Sequence, residues 1–92
     1  MALIDLTDIQ SERLLATLTN DLSLFGCSVK TETPFPEGAK VRLRISHAGV
    51  NFIAMGKVAY SQPGLGMGIA FAAIEPNSQS VLDAWLTSLR KQ

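Results

Sequence analysis

The chain has 92 residues, of which 47% are hydrophobic and 17% are charged, so it is long enough for one domain with one core and too short for a multi-site enzyme. Eight basic and eight acidic residues cancel, and the net charge therefore gives no argument for nucleic acid or an anionic membrane as a partner. No apolar run approaches the ~20 residues of a membrane span and the N-terminus lacks the pattern of a secretory signal, so we expect one cytoplasmic domain over residues 1–92.

The first two apolar runs predict short strands. Residues 2–6 form the first run, which a polar segment ends. In the second, Leu14, Ala16 and Leu18 alternate with polar residues, although Leu15 breaks the alternation. A period of two is typical of a half-buried strand, and we expect the three alternating side chains to form its apolar face.

The segment DLSLFG, residues 21–26, separates this strand from the next. Asp21 and Ser23 can hydrogen-bond nearby backbone and hold a tight turn, and Gly26 permits positive φ angles. The carboxylate and the hydroxyl also offer acceptors to a ligand such as the edge of a guanine base. These residue types therefore suit both a structural turn and a ligand-binding loop.

The chain shows no pattern typical of a catalytic or metal site. Cys27, the single cysteine, alternates with polar residues in a way that places it on the apolar face of a strand. The single histidine, His47, falls in a predicted turn. One cysteine and one histidine cannot supply a disulfide or a dedicated zinc site. We expect no catalytic residue, no metal and no required cofactor.

The clearest alternation covers residues 40–45, where apolar and basic side chains take opposite faces of a predicted strand. Its polar face is a basic stripe, a secondary candidate for contact with phosphate, made of Lys40, Arg42 and Arg44. The alternative is an outward face that is solvated by water. Nothing in the spacing places this stripe beside residues 21–26.

The last part of the chain predicts a hairpin and then a helix. Pro63 and Gly64 suit the central positions of a type II turn, and Gly56 suggests a β-bulge or a close backbone contact in the strand before it. Over about residues 78–91 the apolar period becomes helical, with Trp85 in the apolar stripe. Strands over about residues 2–74 and one helix predict a small antiparallel barrel or curled sheet covered by that helix.

In their order and spacing these motifs resemble the PilZ domain family. DLSLFG matches the family's DxSxxG motif at Asp21, Ser23 and Gly26, and residues 56–60 and 66–71 resemble its last hairpin. The resemblance implies a mainly β fold, a six-stranded antiparallel β-barrel of the split-barrel type with one C-terminal α-helix. It also implies a family known for receptors of the bacterial second messenger cyclic di-GMP, with those three residues as the candidate ligand site.

The family's second motif, RxxxR upstream of the first barrel strand, has no match in this sequence. Arg13 is the only arginine before Asp21, and no arginine stands four residues from it. Guanidinium groups bind phosphate and the N7 and O6 edge of guanine in two-pronged fashion. Losing two such contacts, at about 1.5–3 kcal/mol each, would weaken binding by roughly two to four powers of ten.

Two functional hypotheses follow. In the first, the chain is a non-catalytic adaptor that binds another protein or a second copy of itself, with at most weak or partner-assisted cyclic di-GMP binding through the DLSLFG loop. Trp85 or Phe35 would be contact residues if exposed, although the spacing of Trp85 is also typical of a core residue. In the second, the chain is a true cyclic di-GMP receptor whose arginines come from another chain or from a segment upstream of residue 1. The missing arginines favour the first hypothesis.

Overall fold

The computed structural model describes residues 2–19 and 21–90, with side chains for all of these except residues 89 and 90. It contains one antiparallel sheet in the strand order β2-β1-β5-β6-β7-β4-β3 and one C-terminal helix. The elements are β1 (Ala2–Asp8), β2 (Leu14–Thr19), β3 (Asp21–Leu22), β4 (Gly26–Lys30), β5 (Lys40–His47), β6 (Val50–Gln62), β7 (Gly66–Ile74) and α1 (Pro76–Arg90). The predicted mainly β fold with a closing helix is confirmed. The helix begins two residues before the predicted start, and residue 91 lies outside the described residues.

The predicted closed barrel of six strands is replaced by a curled sheet of seven. Two-residue β3 is the additional strand, because pairing with β4 begins at Asp21. The sheet curls until β2 lies beside β4, but no backbone ladder joins them in the described part of the chain. Instead, the hydroxyls of Thr17 and Thr19 donate to the carbonyls of Lys30 and Ser28 at 3.3 and 2.7 Å. We call this junction of β2 and β4 the seam.

The core lies between the inner face of the sheet and α1. Leu82 of the helix is fully buried in it, and Trp85 packs against it at the helix surface. The first turn of α1 is fixed to β6, since the buried Ser78 hydroxyl accepts a hydrogen bond from the Ile53 N–H at 2.9 Å. Pro76 occupies the first helical position, where an N–H would have no partner within the helix.

The face of β2 that the sequence predicted to be buried is exposed. Leu14 and Leu18 are 79% and 44% exposed, whereas Leu15 is half-buried and Thr19 is buried. Burial of Thr19 is tolerated because its hydroxyl is hydrogen-bonded across the seam. The contact with β4 therefore decides which face of β2 points inward.

Phe35 is a core residue and not the surface contact that the adaptor hypothesis allowed. It comes from the irregular segment that follows β4 and precedes β5 in the chain, and it is fully buried. Its N–H donates to the Met67 sulfur at 3.4 Å. The Arg13 guanidinium covers the ring at 5.1 Å from its centroid. Trp85 is half-buried and makes an edge-on contact with His47, their ring centroids 6.0 Å apart.

The last hairpin contains the predicted turn and bulge. The Leu65 N–H donates to the Gln62 carbonyl at 2.9 Å and Gly64 has a φ of 82°, as a type II turn requires. The register of β6 against β7 shifts at Gly56, which confirms the bulge. A second shift before Tyr60 was not predicted. Because of this shift the Tyr60 side chain points outward, although a regular strand would place it on the same face as buried Val58, two residues earlier.

Cys27 is buried as predicted, and burial raises the pKa of its thiol from 9.0 to about 12. The thiol of the unfolded chain loses its proton near pH 9, whereas the thiol of the folded chain keeps it. The stabilisation that the buried neutral thiol contributes is therefore fully present below pH 9 and is lost as the pH rises toward 12. We expect the free energy of unfolding to fall in this window by up to about 1.4 kcal/mol per pH unit.

Urea unfolding of the wild type and Cys27→Ala across that window measures the effect. The difference between the two profiles isolates the thiol's contribution from that of every other ionisable group. Parallel profiles would contradict the expected pH dependence.

Candidate functional site

Residues 21–26 contain β3, the turn and the first residue of β4 in the β3–β4 hairpin, and Ser23 stabilises the turn. The Ser23 N–H donates to the Gly26 carbonyl at 2.9 Å. The Ser23 hydroxyl accepts hydrogen bonds from the N–H groups of Phe25 and Gly26 at 3.2 and 3.3 Å. The structural interpretation of this serine is confirmed, and its contact with a ligand stays a prediction.

Asp21 is exposed and faces away from the core. Its Oδ2 accepts a hydrogen bond from the Ser28 hydroxyl at 2.9 Å, directly across the hairpin. This contact replaces the bond to turn backbone that the sequence suggested. A carboxylate has about four acceptor positions, so Asp21 retains capacity for the N–H groups of a ligand.

Gly26 is needed for close packing and not for a positive φ, which corrects the expectation from sequence. The glycines with positive φ are Gly38, Gly49 and Gly64. A Cβ on Gly26 would instead collide with the backbone carbonyl oxygen of Ile69 on β7. At this position the hairpin therefore lies against β7 more closely than a Cβ would allow.

An open groove of about 470 Å³, which we call the hairpin groove, lies beside these residues on the outer surface. Asp21 and Ser23 line it together with two exposed rings, Phe25 at 81% and Tyr60 at 49% exposure. Its floor includes Gly68, where a Cβ would collide with the Tyr60 ring. Aromatic faces beside a hydrogen-bonding edge are suited to a planar heterocyclic base.

A second groove of about 620 Å³, the seam groove, adjoins the first and shares Asp21, Ser28 and Tyr60 with it. It adds the exposed cation Lys30 of β4. Sequence reasoning missed Ser28, Tyr60 and Lys30, which line these grooves with Asp21. The pairing register of β3 and β4 is needed to place Ser28 opposite Asp21. The irregularity of β6 before Tyr60 is needed to turn that ring toward the grooves. Lys30 has the same local sequence pattern as any outward-facing strand residue, so nothing in the sequence distinguishes it.

The structure does not bring the basic stripe to the hairpin. Lys40, Arg42 and Arg44 lie on the outer face of β5, and β6 and β7 separate them from β4. Arg13 is also engaged elsewhere, where it donates to the Thr33 carbonyl at 3.1 Å. None of the three arginines whose side chains are described, at positions 13, 42 and 44, lines either groove.

The same described ranges contain no group of three histidine, cysteine or acidic side chains that could hold a metal ion. None of their helical segments combines the length and apolar character that crossing a lipid bilayer requires.

Comparison with known proteins identifies the family. A family model described as the PilZ domain matches residues 2–88. The fold is similar to the crystal structure of the PilZ domain of CeSA from a cellulose-synthesizing bacterium, with a TM-score of 0.72 and 17% sequence identity over 98% of this chain and 94% of that chain. No curated protein matches the chain. Because the family model covers nearly the whole sequence, the chain belongs to the PilZ domain family.

Proposed function

We propose that this PilZ domain is a non-catalytic signalling module of the bacterial cytoplasm, which acts as an adaptor for another protein and binds cyclic di-GMP at most weakly through the DLSLFG hairpin. PilZ domains form a family of cyclic di-GMP-binding and adaptor domains. The observation that carries the proposal is that the two grooves beside Asp21 contain none of the described arginine side chains.

The side chains that line the two grooves can contact a guanine base, but the described arginines are not among them to bind the phosphates of the ligand. Asp21 can accept the N–H donors of a guanine, and Phe25 and Tyr60 can contact its face. The Ser23 hydroxyl is already bonded within the turn. Two missing guanidinium contacts correspond to roughly two to four powers of ten in affinity, so we expect the remaining contacts to give weak binding.

Lys30 supports a second candidate function, a true cyclic di-GMP receptor. Its exposed ammonium lines the seam groove with Asp21 and Ser28, and an ammonium can meet a phosphate as a point charge. Arginines supplied by another chain would complete such a site. This alternative predicts much tighter binding when that chain is present.

Titration of the isolated domain with cyclic di-GMP by calorimetry separates these functions. We expect a dissociation constant weaker than about 10 μM, and we expect Asp21→Ala to remove what binding remains because it deletes the outward acceptor. Asp83→Ala is the matched control, since that carboxylate is also exposed but lies on α1, where it accepts a hydrogen bond from Gln79 at 3.2 Å. Submicromolar binding by the isolated domain would overturn the adaptor proposal in favour of the receptor.

The adaptor role itself is tested by affinity capture from source cells with the folded domain as bait. We expect one protein to be retained in stoichiometric amount both with and without added cyclic di-GMP. A domain that remains monomeric by light scattering and retains no protein above a bead control would contradict the adaptor role.

A further inference from the structure

The outer surface of the sheet around β5 combines exposed apolar side chains with cations. One row of residues that are paired across five strands consists of Leu14, Thr7, Arg42, Met55 and Ala73. The next row contains Lys40 of β5 and Lys57 of β6. We call the surface formed by these two rows the β5 face. It does not include the hairpin groove or the seam groove.

Arg42 occupies the centre of this face between two grooves. The grooves have volumes of about 630 and 520 Å³, and Arg42 and Ile53 line both of them. Leu14 lies in the larger groove, whereas Met55, which is 38% exposed, lies in the smaller one. An arginine that is flanked on both sides by apolar side chains is a typical centre of a protein–protein interface.

The charges of the β5 face are not balanced within the described part of the chain. The ion pair in the described part of the chain joins Arg44 to Asp5 at 2.7 Å in the row beside this face, where both line the larger groove, and Arg42 makes no ion pair with a described carboxylate. Glu75 lines the smaller groove but makes no ion pair with a described cation. Lys40 and Lys57 are direct cross-strand neighbours, and like charges in this position are destabilising. A carboxylate from outside the chain would relieve this repulsion.

We propose that the β5 face docks a protein segment that carries a carboxylate between apolar side chains. The carboxylate pairs with Arg42, and the apolar neighbours occupy the grooves on either side. This inference rests on the adaptor role proposed above and names the surface and the chemistry of its partner. The outward-facing side chains of β2 contribute to the site, because one of them, Leu14, lies at the rim of the larger groove.

The same observations argue against two other occupants. A second copy in a two-fold arrangement would bring six cations, Arg42, Lys40 and Lys57 from each copy, into one interface, where the two Glu75 carboxylates of the smaller grooves could not balance them. A lipid surface is best contacted by apolar side chains that protrude beyond the cations. Beside Arg42, at the centre of this face, Ile53 is half-buried and Met55 is 38% exposed, whereas the strongly exposed Leu14 lies at the rim.

Selection from a phage library of random peptides of about a dozen residues tests the proposal, with the folded 92-residue domain as bait. We expect the enriched peptides to contain Asp or Glu beside aliphatic or aromatic residues. Their synthetic forms are then titrated against the wild type, Arg42→Glu and Lys30→Glu. Lys30→Glu is the matched control, since it makes the same charge reversal on β4. Circular dichroism checks that each variant is folded, and Arg42→Gln replaces Arg42→Glu if the reversal prevents folding.

We expect Arg42→Glu to weaken peptide binding at least tenfold and Arg42→Gln to weaken it several-fold, while Lys30→Glu leaves it within twofold. Enrichment of peptides without acidic residues, failure to enrich any peptide, or equal binding by Arg42→Glu would overturn the proposal. So would sedimentation with vesicles of phosphatidylcholine and phosphatidylserine that depends on Arg42, or a dimer that dissociates on its reversal. A cellular partner retained equally by wild type and Arg42→Glu would refute this surface while leaving the adaptor role intact.

Discussion

Phe35→Ala is expected to lower the free energy of unfolding by about 3–5 kcal/mol, the range for deleting a buried aromatic ring. Phe35 has no exposed surface, although it comes from an irregular segment with prolines on both sides. Its removal would leave a cavity beside Met67 and remove the ring over which Arg13 lies. In a domain of this size we expect the melting temperature to fall by at least about 12 °C.

Phe25→Ala is the matched control, because it removes the same ring from a side chain that lies almost wholly in solvent. We expect its stability to stay within about 0.5 kcal/mol of the wild type. Urea unfolding of both variants measures the difference. Equal effects of the two substitutions would show that the burial assigned to Phe35 is wrong.

Gly26→Ala is expected to destabilise the domain by about 3 kcal/mol, at the upper end for overpacking. The added Cβ would meet backbone of β7, which cannot rotate away as a flexible side chain can. We therefore expect β4 to separate locally from β7 and to break the hydrogen bond of 2.8 Å from the Phe71 N–H to the Phe25 carbonyl. Faster hydrogen exchange of the Phe71 amide would report this separation.

Gly38→Ala controls for glycine chemistry without the collision. Gly38 has a φ of 89°, and no atom beyond its chain neighbours lies within 4 Å of where its Cβ would stand, so alanine there costs backbone strain of about 1 kcal/mol. Its effect on the Phe71 amide should be negligible. If Gly26→Ala leaves both stability and Phe71 exchange unchanged, the close approach of the hairpin to β7 is refuted.

The proposed ligand site and the proposed docking face are separate surfaces that meet on β6. Tyr60 of β6 borders the hairpin groove, while Met55 of the same strand belongs to the β5 face. The bulges at Gly56 and before Tyr60 lie between these two positions. Substitutions at Asp21 and at Arg42 therefore test the two activities independently.

Much of the fold could be predicted from the chain alone. The strict alternation over residues 40–45 correctly indicated a strand that buries Val41, Leu43 and Ile45, because one face of a half-buried strand must be apolar. The change to a helical period correctly placed the closing helix. Pro63 and Gly64 correctly indicated the hairpin turn, because their backbone preferences are local properties.

Contacts between distant parts of the chain decided the rest. The inward face of β2 depends on hydrogen bonds across the seam, and the alternation of a strand shows two faces without showing which one meets the core. Burial of Phe35 depends on contacts of its irregular segment with remote residues such as Met67 and Arg13. Strand order and register decide which side chains lie beside Asp21 and why Arg42 makes no ion pair with a described carboxylate. Local sequence determines backbone preference and periodicity, whereas pairing between remote segments determines which side chains meet, and in this domain the candidate sites are made by those pairings.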